Sequence, residues 1–158
     1  MQYLVTQKEN SEQISQIHHF MRSHNLEVNP DLMAAFDDPD NDPVPIHVIA
    51  IDSAQQVVGG LIGETQFAWL KIGILAVSKS HRRRGIGREL LQRAEDEARQ
   101  RGCRHVFLDS MEYHSPDFYK ACGYTDVCTI EDWDSRGHTK YFFTKNIEVG
   151  ANAQGKDS

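Results

Sequence analysis

Residues 74–91 read ILAVSKSHRRRGIGRELL: an apolar, strand-like run, a basic turn with two glycines, then the start of an amphipathic helix. This order fixes much of what can follow. It brings a helix N-terminus close to the C-terminal end of a strand. The first N–H groups of a helix have no internal partners, and the helix dipole adds partial positive charge there. Gly85 and Gly87 remove side chains that would hold a ligand off that backbone. Arg82, Arg83 and Arg84 add donors suited to an anion. A phosphate or pyrophosphate is the ligand such a turn suits.

The helix is predicted over residues 85–101, with Ile86, Leu90, Leu91, Ala94 and Ala98 as its apolar stripe and Gly102 as its stop. Upstream, QYLVT reads as a short first strand. Asn10 and Gln13 then open a helix with Ile14, Ile17 and Met21 on one face, and Pro30 begins a short second helix. PIHVIAID and QVVGGLIGET form a hairpin. FAWLKIGILAV is a strand whose apolar end predicts burial on both faces. Downstream come HVFLDS, a short helix with Ser115 as N-cap and Pro116 at its first position, and the strands YTDVCTI and KYFFTKNI. The order predicts a mixed sheet with helices on its faces, in one domain over residues 1–147. The tail, residues 148–158, reads as disordered.

Composition narrows the function. A formal net charge of −6 argues against a general nucleic-acid binder, so the arginine triplet is a local feature. Acidic clusters at residues 37–42 and 131–134 have two readings, solvated loops or a field that draws a cation. No apolar run approaches the ~20 residues of a membrane span. No signal-peptide pattern begins the chain, and three cysteines without paired metal spacing suit reduced thiols in the cytoplasm. The eight histidines show no compact metal pattern, so no metal is expected.

Familiar phosphate loops fit poorly. A P-loop needs Gly-Lys-Ser/Thr, whereas Arg88-Glu89 follows Gly87. A dinucleotide fingerprint needs its glycines directly after the strand and a third small residue, whereas Leu90 stands there. Read with its flanks, Arg82-Arg83-Arg84-Gly85-Ile86-Gly87 resembles the acetyl-CoA signature of the Gcn5-related N-acetyltransferases (GNAT superfamily). SPDFYKACGY resembles that family's second signature, a short helix carrying an aromatic-Tyr pair and ending in Gly-Tyr. The two stand in the family's order.

The resemblance implies a mostly antiparallel mixed sheet of about six to seven strands, flanked by about four helices. It implies acetyl transfer from acetyl-CoA to an amine, with the pyrophosphate on backbone N–H groups from Arg83 to Arg88. The pantetheine arm would then pair with Leu75, Ala76 and Val77 of a strand that splays from its neighbour. A backbone N–H near Leu75 or Ala76 would face the thioester oxygen. Gly73 marks either a bulge in that strand or packing room beside Trp69. Tyr119 matches the tyrosine that protonates the leaving thiolate. The base stays open among Glu64, acting through water and placed first, Glu112, His114 and His138. A homodimer is compatible, and no membrane or nucleic-acid partner is expected. A non-catalytic CoA- or RNA-binding module, or an enzyme acting on protein amines, is the competing reading.

Overall fold

The computed structural model describes residues 1–147; the expected disordered tail lies outside them. The chain forms two compact units, residues 1–42 and residues 43 onward. In the first unit, helix α1 (Ser11–Val28) starts where Asn10 Oδ1 accepts the Gln13 N–H, and α2 (Pro30–Asp37) starts on Asn29 in the same way. The strand expected at QYLVT does not form: residues 1–10 have no ladder partner. Alternating β-branched residues alone do not hold a strand without a partner edge. Part of the first acidic cluster is used locally. Asp37 pairs with Arg22, and Asp38 caps the turn at Pro39–Asn41.

The second unit holds a six-stranded sheet among the described residues. Its strands are β1 (Val44–Ile51), β2 (Val57–Gln66), β3 (Trp69–Val77), β4 (His105–Met111), β5 (Thr125–Ile130) and β6 (Lys140–Asn146). The order is β1-β2-β3-β4-β6-β5, and only β3 and β4 run parallel. Helix α3 (Ile86–Gln100) crosses β1, β2 and β3, and α4 (Pro116–Ala121) follows β4. Leu90, Leu91, Ala94 and Ala98 of α3 are buried against Ile46, Leu61, Leu70, Ile72 and Phe143. Burying each such leucine contributes ~1.5–3 kcal/mol.

Gly73 is a bulge. The β2–β3 register passes from Ile62 opposite Ile74 to Gly63 opposite Ile72, leaving Gly73 without a partner. One inserted residue reverses which side chains meet the core. Leu70 and Ile72 face α3 before it; Leu75 and Val77 pack against the core after it, and Ile74 is left exposed on the other face. The expected burial of this strand on both faces is therefore not found. The apolar run at residues 74–77 reflects a change of facing, not a doubly covered strand.

Ser115 also differs from expectation. It adopts φ 62° and makes no side-chain cap; its carbonyl accepts the Phe118 N–H instead. Left-handed backbone at that position joins the 3-10 turn Glu112–His114, which follows β4, to α4.

Candidate active site

β3 and β4 pair only over Trp69–His105 to Ile72–Leu108, then separate while each runs on to Val77 and Met111. A gap opens between the C-terminal ends of two parallel strands. The Ser78 N–H donates to Val58 O at 2.8 Å. Because backbone groups alternate along a strand, Ala76 and Ile74 also bond toward β2. The N–H and C=O groups of Leu75 and Val77 therefore face the gap. Of the three strand residues expected to meet a ligand, Leu75 turns its N–H and C=O and Val77 its N–H to the gap without a protein partner, and Ala76 does not. The Val77 carbonyl takes the Arg82 Nε–H at 3.1 Å, which folds the arginine turn back onto the strand end.

That turn delivers α3 with its first N–H groups free. Glu89 N–H is the first to bond, to Gly85 O, and Ile86, Gly87 and Arg88 have no N–H partner among the described residues. Arg83 at φ 60° and Gly85 at φ 83° bend the backbone so that these groups converge. A side chain at Gly85 would meet open space, so glycine is needed there for its backbone angle. Gly87 is different. A Cβ there would lie 3.2 Å from the Phe118 ring and 3.9 Å from Val77. Its missing side chain makes room for α4, a packing reason the sequence did not offer.

The arginines divide. Arg82 is held on Val77, and Arg88 reaches Ala121 O at 3.1 Å, at the C-terminal end of α4. Arg83 and Arg84 are exposed and have no protein hydrogen-bond partner among the described residues. The turn thus offers free main-chain donors and two free guanidinium groups, which fit a pyrophosphate.

Tyr119 lies in α4, 8% exposed, its ring packed among Phe118, Tyr124 and Phe143. Its hydroxyl bonds to no protein group. No sealed side-chain polar atom of the described residues lacks a partner, so that hydroxyl reaches a surface. Burial, then the nearby Cys122 and Asp109, push its pKa up. Tyr119 holds its proton through neutral pH.

A polar network absent from the sequence reading anchors this helix. Glu95, in the middle of the α3 stripe, is 1% exposed. It accepts from Lys145 Nζ at 2.8 and 2.9 Å and from Tyr124 at 2.9 Å. Lys145 also donates to Cys122 O at 3.0 Å. Burial and Glu95 together drive the Tyr124 hydroxyl upward out of any physiological titration. Position 95 lies four residues from Leu91 and three from Ala98. A carboxylate inside an apolar stripe was the available signal. Cys122 beside this network has its thiol pushed up by burial, which suits packing rather than attack.

The base candidates are dispersed. Glu64 is exposed, opposite Lys71 in the closed part of the ladder and one strand from the gap. Glu112 is tied to Thr139: it accepts the Thr139 N–H, while its own N–H donates to Thr139 O. His114 packs against Tyr113. His138 pairs through Nδ1 with Asp134 Oδ2 at 2.7 Å. In the same loop, Asp132 accepts the Gly137 N–H and Asp134 accepts those of Arg136 and His138. These two aspartates shape the loop and are not merely a diffuse field. Partial desolvation pushes the Asp134 carboxyl up, but hydrogen bonds from the His138 ring and from the His138 and Arg136 backbones outweigh it and hold it below the usual range. Lys140 bonds Asp109 at 2.7 Å and lies over the Trp133 ring. No group of three or more potential metal ligands is gathered among the described residues. No helix among them is long and apolar enough to cross a membrane.

A split parallel pair, a helix N-terminus beside one strand and a tyrosine helix after the other define an acyl-CoA-type transferase architecture. The family model for the acetyltransferase (GNAT) family matches residues 13–124, and the chain belongs to that family. It is an N-acetyltransferase that uses acetyl-CoA. The blasticidin-S acetyltransferase of Streptomyces morookaense is 30% identical over 131 residues, covering 80% of this chain and 96% of that one. Acetyltransferase Atu2258 of Agrobacterium fabrum is 32% identical over 91 residues, covering 58% of this chain and 66% of that relative. The crystal structure of an acetyltransferase from Bacillus cereus superposes with a TM-score of 0.71 at 26% identity, covering 90% and 97% of the two chains.

Proposed function

We propose that the chain, acting as one domain over residues 1–147, acetylates a small cationic amine by direct attack on acetyl-CoA, with Tyr119 as general acid. The observation that carries this reading is the placement of Tyr119: buried and without a protein hydrogen bond, its pKa pushed up by burial, on the helix whose Phe118 packs beside Gly87 of α3. The free N–H groups of Ile86 to Arg88, with Arg83 and Arg84, hold the pyrophosphate. Leu75 and Val77 pair with the pantetheine arm, and the Leu75 N–H, facing the gap, donates to the thioester oxygen as negative charge grows there. Tyr119 then protonates the departing sulfur. Among the relatives, one named for blasticidin-S makes a small-molecule acceptor the first class to test. Glu131, Asp132 and Asp134 in the loop before β6 favour a cationic one.

Tyr119→Phe keeps the ring packing and removes only the proton. Its kcat should fall ~100-fold or more while acetyl-CoA affinity stays unchanged. The sign of the pH dependence follows from the raised pKa: the acid form persists as pH rises, so the alkaline loss of kcat lies above the ordinary tyrosine range. Turnover equal to the parent across pH would remove Tyr119 from the chemistry.

A further inference from the structure

The reading above leaves the acceptor's own proton without a destination. A cationic amine must lose one before its nitrogen can attack. We propose that His138, oriented by Asp134, is the general base of this reaction; the proposal rests on the acetyltransferase reading and adds a residue to it.

Three observations support it. The first is the pair itself. Nδ1 lies 2.7 Å from Asp134 Oδ2, so in the neutral ring the proton that donates to this carboxylate is on Nδ1 and the lone pair is on Nε2, which has no partner among the described residues. The second is how firmly Asp134 is held. Its Oδ1 accepts the Arg136 and His138 N–H groups, so the carboxylate is fixed before it orients the ring. The third is location. The loop at residues 131–139 leads into β6, and it is fastened to the end of β4 by the two Glu112–Thr139 hydrogen bonds. The His138 ring stands edge-on to Tyr113, 5.1 Å away, just past that end. The β3–β4 gap opens toward the same strand ends. Glu64, by contrast, lies in the closed part of the ladder.

The step balances as follows. The acceptor enters as R–NH3+, and Nε2 takes one proton from it. The freed amine nitrogen attacks the thioester carbon, forming the C–N bond, and the C–S bond breaks. Tyr119 protonates the sulfur. The second proton on the acceptor nitrogen returns to the tyrosinate. One proton is released overall, from His138 to solvent, beside the amide and the free thiol.

Titratable or charged groups around His138 are Glu131, Asp132, Asp134 and Arg136 of its loop, Glu112, Tyr113 and His114 after β4, and Lys140 at the start of β6 with its partner Asp109. The decisive variant is Asp134→Asn. Its Oδ1 can still accept the Arg136 and His138 N–H groups, so the loop keeps its shape. Its NH2 would donate to Nδ1, and this moves the ring proton to Nε2, the tautomer that cannot act as a base. Thiol release from acetyl-CoA is followed with a polyamine and an aminoglycoside as acceptors. His138→Gln and Asp134→Asn should each lower kcat/KM for the acceptor ~100-fold, with acetyl-CoA affinity unchanged. The acidic limb of the pH profile should vanish in His138→Gln, and added imidazole should restore part of the rate in His138→Ala. Folded variants with rates within threefold of the parent and the limb intact would overturn the proposal, as would loss of that limb in Glu64→Gln alone. If His138→Gln does not fold, Asp134→Asn decides the matter. A parent that releases no thiol with any amine would overturn the acetyltransferase reading as well; a parent that turns over while these variants match it overturns only the role of His138.

Discussion

The two walls of the β3–β4 gap are built from different material. On the β3 wall the groups turned to the gap are main chain: those of Leu75, the Val77 N–H, then the free N–H groups at the start of α3. On the β4 wall, the groups proposed above to act are side chains: Tyr119 on α4 and the His138–Asp134 pair. A main-chain site needs only a bulge, a turn and glycines, so many side chains fit it. A side-chain site needs each group held by others. The β3 wall should therefore lose function mainly through backbone changes. The β4 wall should lose it through changes in residues that touch no ligand at all.

The largest expected effect tests the second half of that contrast. Glu95→Ala leaves the Lys145 ammonium, whose side chain is 21% exposed, without its carboxylate. Breaking a buried pair in this way typically costs ~3–5 kcal/mol. Urea unfolding should show that loss, and at temperatures where the variant stays folded, turnover should drop more than acetyl-CoA affinity. Equal loss of both would mean the two walls are not separately held.

Gly87→Val comes next. Its Cβ would press on Phe118, and overpacking of this kind costs ~1–3 kcal/mol. The damage should reach kcat through α4, on the far wall. Gly85→Ala strains a backbone angle of 83° by ~1–2 kcal/mol and should act instead on acetyl-CoA affinity. Calorimetric binding beside kcat separates the two. If both variants lose only affinity, Gly87 is a ligand-clearance residue after all.

The smallest effect belongs to the free arginines. Arg83→Ala and Arg84→Ala each remove one exposed charge and should weaken acetyl-CoA binding up to about tenfold, which is ~1.4 kcal/mol. Raising salt should shrink that difference, because exposed charges are screened beyond ~8–10 Å. Arg88→Ala should also affect kcat, since Arg88 holds Ala121 O at the end of α4.

The same contrast explains what could be read from the chain. The arginine-glycine turn, the α3 stripe and its stop at Gly102, the cap at Asn10 and the Pro30 start depend on neighbours within a few residues. Local sequence therefore carries them. Tyr119 was found as part of a short contiguous pattern. The first strand was misread because alternation predicts a strand but not its partner. Ser115 was misread because its type suits a cap, while the join between the Glu112–His114 turn and α4 takes a left-handed backbone angle.

The sequence by itself determined the helices, the strands from residue 44 onward and the arginine-glycine turn, because each is set by short-range hydrogen bonding and by the period of the apolar residues. Only the tertiary structure decided the rest. It chose the bulge at Gly73 over packing room, turned Leu75 and Val77 toward the gap, and assigned Gly87 to Phe118. It joined Glu95 to Lys145 across fifty residues and placed the His138 loop at the end of β4. Those outcomes depend on register and on contacts between residues far apart in the chain, and such contacts leave little mark on any one stretch of it.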